Sequence, residues 1–138
     1  MTMKIKIDDG AFVPTRAHDL DAGLDLYAVE GAYIQPNSSH CFDTGVHVEI
    51  PAGFVGMIKS KSGLNVKHSI TSEGVIDAGY TGSMVVKLFN HGYNGVRINR
   101  GQKISQLVIL PIVTPELELV DELEATERGD GGFGSTGV

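Results

Sequence analysis

The sequence predicts an all-β fold of the sandwich, jelly-roll or barrel kind, on three observations. Apolar residues recur at every second position in many short runs. Clusters of Gly, Pro, Asn and Asp separate those runs at regular intervals. No segment carries the long 3.6-residue apolar period of an amphipathic helix.

Taken in order, the strand patterns begin with KIKI (residues 4–7), closed by the turn residues DDG. LDLYAV (24–29) follows and ends at EG; QPNS marks a turn in the mid-thirties. VHVEI (46–50) alternates and stops at PAG. SGLNVK (62–67) is the best short helix, with Ser62 expected as its N-cap because a serine hydroxyl can accept from an early amide. GVIDAGYTG (74–82) and MVVKLF (84–89) together predict a β-hairpin over 74–89 with an acid, Asp77, near its bend. VRI (96–98), ISQLVILPIV (104–113) and LELV (117–120) complete the strand set.

At 138 residues the chain fits one domain. Residues 1–126 are expected to form its body, and 127–138 a flexible Gly-rich C-terminal arm. The hydrophobic content, 41%, suits a globular chain. No window approaches ~18 consecutive apolar residues, so no membrane partner is expected. The N-terminal MTMKIKIDDG lacks the apolar core of a secretory signal, which points to the cytoplasm. Cys41 is the single cysteine, so no internal disulfide can form. The net charge of −6 argues against a nucleic-acid partner, which would need a basic surface. An anionic small molecule stays possible if local cations, backbone N–H groups or a metal ion offset the global sign.

Four places carry candidate chemistry, each beside a plainer reading. RGDGGFGSTG (128–137) combines backbone donors, hydroxyls and a guanidinium, a set that can wrap phosphate. It lacks the lysine of a Walker loop, and its alternative is a disordered terminus. Phe133 makes sense on such an arm if it closes over a flat group such as a nucleobase. Asp77 is either a turn acid capping its own backbone or a general base at the bend. Asp25 interrupts an apolar run and is either a solvent-facing strand residue or part of a site. KSKSGL (59–64) is a polar loop or a basic, donor-rich anion patch opening a helix. The five histidines have no zinc spacing and read as structural or surface residues. No G-x-S-x-G elbow supports a serine hydrolase.

The order of these segments is more specific than any one of them. AGLDLYA (22–28), KSGL (61–64), GVIDAGYTG (74–82), GQKISQLVI (101–109) and RGDGGFGSTG (128–137) resemble the five ordered motifs of the trimeric dUTPase family across nearly the whole chain. The resemblance implies a distorted β jelly roll and a homotrimer with three active sites at subunit interfaces. It implies hydrolysis of dUTP to dUMP and pyrophosphate with Mg²⁺ on the triphosphate. That reaction supplies the thymidylate precursor and keeps uracil out of DNA.

The same resemblance assigns roles. Asp77 would activate the water that attacks the α-phosphorus. Tyr80 would pack under the deoxyribose and exclude a 2′-hydroxyl. The backbone around Gly74, Val75, Ile76 and Val85 would read the uracil edge, with Thr71 lining the same pocket. Lys61, Ser62 and Gly63 would hold the α- and β-phosphates, and Gln106 would join the phosphate and water network. Arg128, Gly134, Ser135 and Thr136 would grip the γ-phosphate while Phe133 stacks on uracil. Asp25 would hold a water of the hydrated Mg²⁺. The sequence departs from the family pattern at three places. Ser60-Lys61 stands where Pro-Arg is usual, Gln102-Lys103 where Asp-Arg is usual, and Leu24 where an aromatic is common. Two other functions are compatible with this fold: dCTP deamination, which wants a catalytic glutamate where Asp77 stands, and non-catalytic nucleotide sensing.

Overall fold

The computed structural model describes residues 1–137; Val138, the last residue of the expected arm, lies outside them. In chain order the elements are β1 (Lys4–Ile7), β2 (Gly23–Tyr27), β3 (Ala32–Ile34), β4 (Ser39–Asp43), β5 (Val46–Glu49), β6 (Phe54–Ser60), α1 (Ser62–His68), β7 (Ile70–Thr71), β8 (Glu73–Ile76), β9 (Val85–Asn90), β10 (Val96–Ile98) and β11 (Lys103–Pro111). They build four small antiparallel sheets, β1-β5, β10-β3, β2-β11-β6-β8 and β4-β9-β7. The all-β expectation holds, in the form of a distorted jelly roll with no closed barrel.

The pleat explains the core. Along β9, Val86, Leu88 and Asn90 are buried while Val85, Lys87 and Phe89 face outward. Leu26, Ile34, Val46, Ile58, Ile98, Ile104 and Leu107 meet the same core from the other strands. Burying each such side chain contributes roughly 1.5–3 kcal/mol. Asn90 is the polar member, and it is satisfied: its amide donates to the Ile34 and Asn94 carbonyls at 3.0 and 2.9 Å. Its oxygen accepts from Gly92 N–H at 2.9 Å.

Three sequence expectations need correction. The 74–89 segment is not a paired hairpin: β8 bonds to β6 and β9 to β4 and β7, in different sheets. The connector 77–84 is too long for a tight reversal, and each arm buries more by joining an established strand. Ser62 is the first helical residue and Lys61 the N-cap, without a side-chain capping bond. β6 runs to Ser60 and leaves Lys61 extended, with its carbonyl accepting from Asn65 N–H at 2.9 Å. LELV (117–120) forms no strand. It lies beyond the last backbone bond to the body, Ile112 N–H to Gly53 O at 2.9 Å, and has no neighbour to supply a ladder. Strands β3, β4, β6 and β7 were not foreseen; β3 and β7 are only 3 and 2 residues long, too short for a period to register.

Candidate active site

Asp25 is the centre of one cluster. It sits mid-strand in β2, fixed on one edge by β11 and on the other by paired backbone bonds with Thr15. Its side chain is only 5% exposed, yet both oxygens are engaged: Lys61 Nζ lies 2.5 Å from Oδ1 and Lys103 Nζ 2.9 Å from Oδ2. Burial pushes this carboxyl up, but hydrogen bonds and charge from the two ammonium groups outweigh it and hold it below the ordinary carboxylate value. The Asp25 hydrogen bond in turn raises the Lys103 ammonium.

A bulge makes the cluster possible. Gln106 faces Asp25 across β11 and β2, and Ser105 faces Leu26, but Lys103 then faces Tyr27 because the register shifts by one residue. Lys103 thereby reaches the face of Asp25 while Ile104 stays in the core. Gln106 donates from Nε2 to the Ser60 carbonyl at 2.9 Å, just before Lys61. Gly23 is required beside it: a Cβ there would fall 2.0 Å from Gln106 Oε1.

Ser62 and Gly63 open α1 next to this cluster, both exposed, and a Cβ on Gly63 would meet only open space. The first turn holds no acidic residue, while Lys67 and His68 lie in the last turn. Buried hydroxyls brace the approach. Ser72 Oγ and Ser105 Oγ lie 2.8 Å apart, Ser105 donates to Lys59 O at 2.7 Å, and Ser60 Oγ accepts from Ser72 N–H at 2.9 Å.

The second region is β8 and the connector after it. Among the described residues β8 is the last strand of its sheet, so one edge of Gly74, Val75 and Ile76 carries backbone groups outside the ladder. Asp77 follows immediately and is exposed. A turn then brings Tyr80 N–H to Asp77 O at 3.1 Å, with Gly79 at φ +95°. The Tyr80 ring folds back over Gly82, where a Cβ would lie 2.5 Å from its oxygen, and its hydroxyl donates to Ser83 O at 2.9 Å. Val75, Tyr80 and Val85 leave apolar surface exposed around Asp77. Thr71 lies on β7, which precedes β8 in the chain but belongs to the β4-β9-β7 sheet, its hydroxyl 2.8 Å from His91 Nε2.

The arm is the third region. Arg128 Nε donates to Gly131 O at 2.8 Å, and turns close from Ser135 N–H to Gly132 O and from Gly137 N–H to Gly134 O, both at 3.1 Å. Thr136 is exposed within the last of these turns. Phe133 stands fully in solvent at a positive φ of 51°, an unusual conformation for a bulky residue. Among the described residues, the arm's one hydrogen bond to the body is to the adjoining Thr126, whose Oγ1 accepts from Gly129 N–H at 3.0 Å, and none reaches the strands; no hydrogen bond or ion pair joins the Asp77 side chain to the Asp25 cluster. Within one chain the structure therefore brings Asp25, Lys61 and Gln106 together, pairs Gly74, Val75 and Ile76 with Ile58, Met57 and Gly56 of β6 so that β8 runs away from Lys61 toward Asp77, and leaves Arg128 to Thr136 apart.

Sequence reasoning missed Lys103, Ser72 and Ser105 as site residues, and Gly23 as the glycine that admits Gln106. Lys103 had a signal, since it stands at one of the departures from the family pattern. The hydroxyls had none, because serine in a strand reads as an ordinary solvent-facing residue.

The donor set also bears on Mg²⁺. Among the described residues no three His, Cys, Asp or Glu side chains cluster. A fully protein-coordinated ion does not fit, but an outer-sphere one does. Each Asp25 oxygen keeps a lone pair that can accept from a metal-bound water, and Mg²⁺ characteristically retains waters and takes phosphate oxygens.

Comparison with known proteins agrees in extent. A family model described as dUTPase matches residues 9–137. A deoxyuridine 5'-triphosphate nucleotidohydrolase of Gloeothece citriformis is 44% identical, with 100% of this chain and 98% of the relative covered. A point mutant of the Staphylococcus bacteriophage 80alpha dUTPase, solved with dUpNHpp, superposes with a TM-score of 0.92 at 35% identity, covering 99% of both chains. A mutant dUTPase from phage phi11 of S. aureus, described for coordination of a structural Mg(II) ion, gives a TM-score of 0.84 at 32% identity, covering 91% of this chain and 100% of that one.

Proposed function

This chain belongs to the dUTPase family, and from that membership we propose that it hydrolyses dUTP to dUMP and pyrophosphate in a site shared between copies. The observation that carries the reading is the open edge of β8. It presents strand-like donors and acceptors to a pyrimidine edge and leads directly into Asp77, with β11 and β6 between it and the strand of the cationic Asp25 cluster in the same sheet.

Each group then has a task. Gly74, Val75, Ile76 and Val85 seat the uracil, with Thr71 at the pocket's margin. Tyr80 packs under the sugar and leaves no room for a 2′-hydroxyl. Lys61, Lys103 and the first amides of α1, at Ser62 and Gly63, offset phosphate charge, and Gln106 orders the network beside them. Asp77 takes the proton of a water as its oxygen attacks the α-phosphorus. The bond from that phosphorus to the bridging oxygen of the β-phosphate breaks, and pyrophosphate leaves with the electron pair. Little covalent work is needed, since such transfers depend on positioning and charge stabilisation. Mg²⁺ is the cofactor, neutralising triphosphate charge when bound. Asp25 would hold it through a water.

The arm, residues 127–138, serves as a lid: Phe133 stacks on uracil while Arg128, Gly134, Ser135 and Thr136 take the γ-phosphate. Its lack of any hydrogen bond to the strands among the described residues supports a role on another copy, in a homotrimer with sites at the interfaces. Among the described residues no helix is long and apolar enough to cross a membrane, which is compatible with work in the cytoplasm.

The direct test is to incubate the protein and Mg²⁺ with dUTP, dCTP, dTTP and UTP, assaying pyrophosphate and ammonia separately. Pyrophosphate from dUTP alone supports the reading. Ammonia from dCTP would replace it with a deaminase, and no product from any nucleotide would leave a sensor.

A further inference from the structure

The connector 77–84 carries Asp77 and Tyr80, and it is fastened to the body from behind. Met84 N–H donates to Val46 O at 2.9 Å, and Thr44 donates to Met84 O from its backbone at 3.0 Å and its hydroxyl at 2.7 Å. Ser83 donates its hydroxyl to Asp43 Oδ1. In the middle of the connector the fastening is a histidine. His47, on β5, places Nδ1 2.7 Å from the Thr81 carbonyl oxygen. Its Nε2 lies 3.1 and 3.0 Å from the two oxygens of Asp8, just beyond β1.

Both partners are acceptors only. A neutral imidazole has one N–H and can satisfy one of them; the imidazolium has two and satisfies both. We propose that His47 is a positioning residue for the dUTPase reaction, tying the active-site connector at Thr81 to the Asp8 carboxylate through a ring protonated on both nitrogens. The kinetic part rests on the functional reading above; the tie itself does not.

The charged surroundings favour the cation on balance. The Thr81 carbonyl and the Asp8 carboxylate stabilise it, and together they raise His47 above the ordinary imidazole value. Partial burial and Lys6, opposite His47 on β1, oppose it, and Lys6 is itself drawn toward Asp8 at 3.8 Å. Asp43, at the end of β4, is held below the usual carboxylate range by Ser83 and Gly45 and so stays anionic. The double tie is complete below about pH 6.5 and is lost as pH rises through the raised folded value. Above it the ring must release either Thr81 or Asp8.

The test uses the full chain, His47→Gln and Asp8→Asn. Without nucleotide, NMR titration gives the His47 pKa, and hydrogen exchange reports protection of amides at 79–84. His47 should titrate above the ordinary value, with protection of the connector falling over the same range. Asp8→Asn should move both events to lower pH. His47→Gln should leave the connector less protected than in the parent near pH 6, with the difference closing as the parent ring loses its second proton. With dUTP, His47→Gln should lower kcat/KM about fivefold near pH 6, one hydrogen bond's worth, chiefly through KM. The deficit should close toward pH 9, where the parent has lost its own tie. A purely structural role would give a deficit independent of pH, and that result, or His47 titrating at or below the ordinary value, overturns the proposal. A parent that shows the pH-dependent protection but releases no pyrophosphate from dUTP would overturn the functional reading and the kinetic role, and leave the tie. Should His47→Gln fail to fold, the parent titration and Asp8→Asn still decide the matter.

Discussion

Lys61 and Lys103 approach one buried carboxylate from two sides, and either alone leaves it half-compensated. Replacing Lys61 by Met should destabilise the protein by about 1–3 kcal/mol near neutral pH, toward the lower end for stranding a buried charge because Lys103 remains. Asp25 has a lowered folded pKa, so its ionised form contributes stability above the unfolded value of about 3.9. That contribution is lost as pH falls through the folded value. The gap in urea midpoint between parent and Lys61→Met should therefore shrink as the pH drops below 4, and a gap constant down to pH 2 would contradict the pairing. Asp77→Asn tests a different link. The amide keeps the shape and loses the base, so turnover should fall by orders of magnitude while dUTP still binds, measured by calorimetry. Asp25 and Asp77 were legible as candidates because each interrupts an apolar run. That Lys103 would meet Asp25 was not legible, because it depends on a one-residue register shift that no local pattern announces.

Strand β11 holds the four-stranded sheet together, pairing with β2 along one edge and β6 along the other. Its Gln106 side chain lies over Gly23 and bonds to Ser60. Gly23→Ala should displace that side chain and cost about 1–3 kcal/mol. Because the same contact is lost, Gln106→Ala added to Gly23→Ala should cost much less than it does alone. Full additivity in a double-mutant cycle of thermal unfolding would show that the two do not interact. The nine-residue β11 was plain in the sequence, as was β9 with its run of β-branched and apolar residues. The partner of β8 was not. Its four residues fit a hairpin with β9 as well as they fit an edge on β6, and the choice is made by which neighbour already stands in the sheet. The helix start moved by one residue for a similar reason: β6 and its fastening through Gln106 decide where the chain can turn.

At the scale of the whole molecule, the core is complete without the arm, and the proposed active site is not. Among the described residues the arm bonds only to itself and to the adjoining Thr126, so a chain ending before Arg128 should melt within a degree or two of the parent and yet turn over little dUTP. The last motif was readable from its glycines and its single ring; its destination was not, since nothing in one chain's sequence says which copy an arm serves. The decisive measurement mixes two defective proteins. Asp77→Asn keeps the arm and lacks the base, and the truncated chain keeps Asp77 and lacks the lid. Each alone should be nearly inactive. Refolded together in equal amounts, the two chains should scramble within the proposed trimer, where a site works when its Asp77 comes from the truncated chain and its arm from the point mutant. With base and lid on different chains those choices are independent, so about one site in four should recover. Activity near that level supports a dUTP-hydrolysing site shared between copies; no recovery, with scrambling verified by mass, would contradict it.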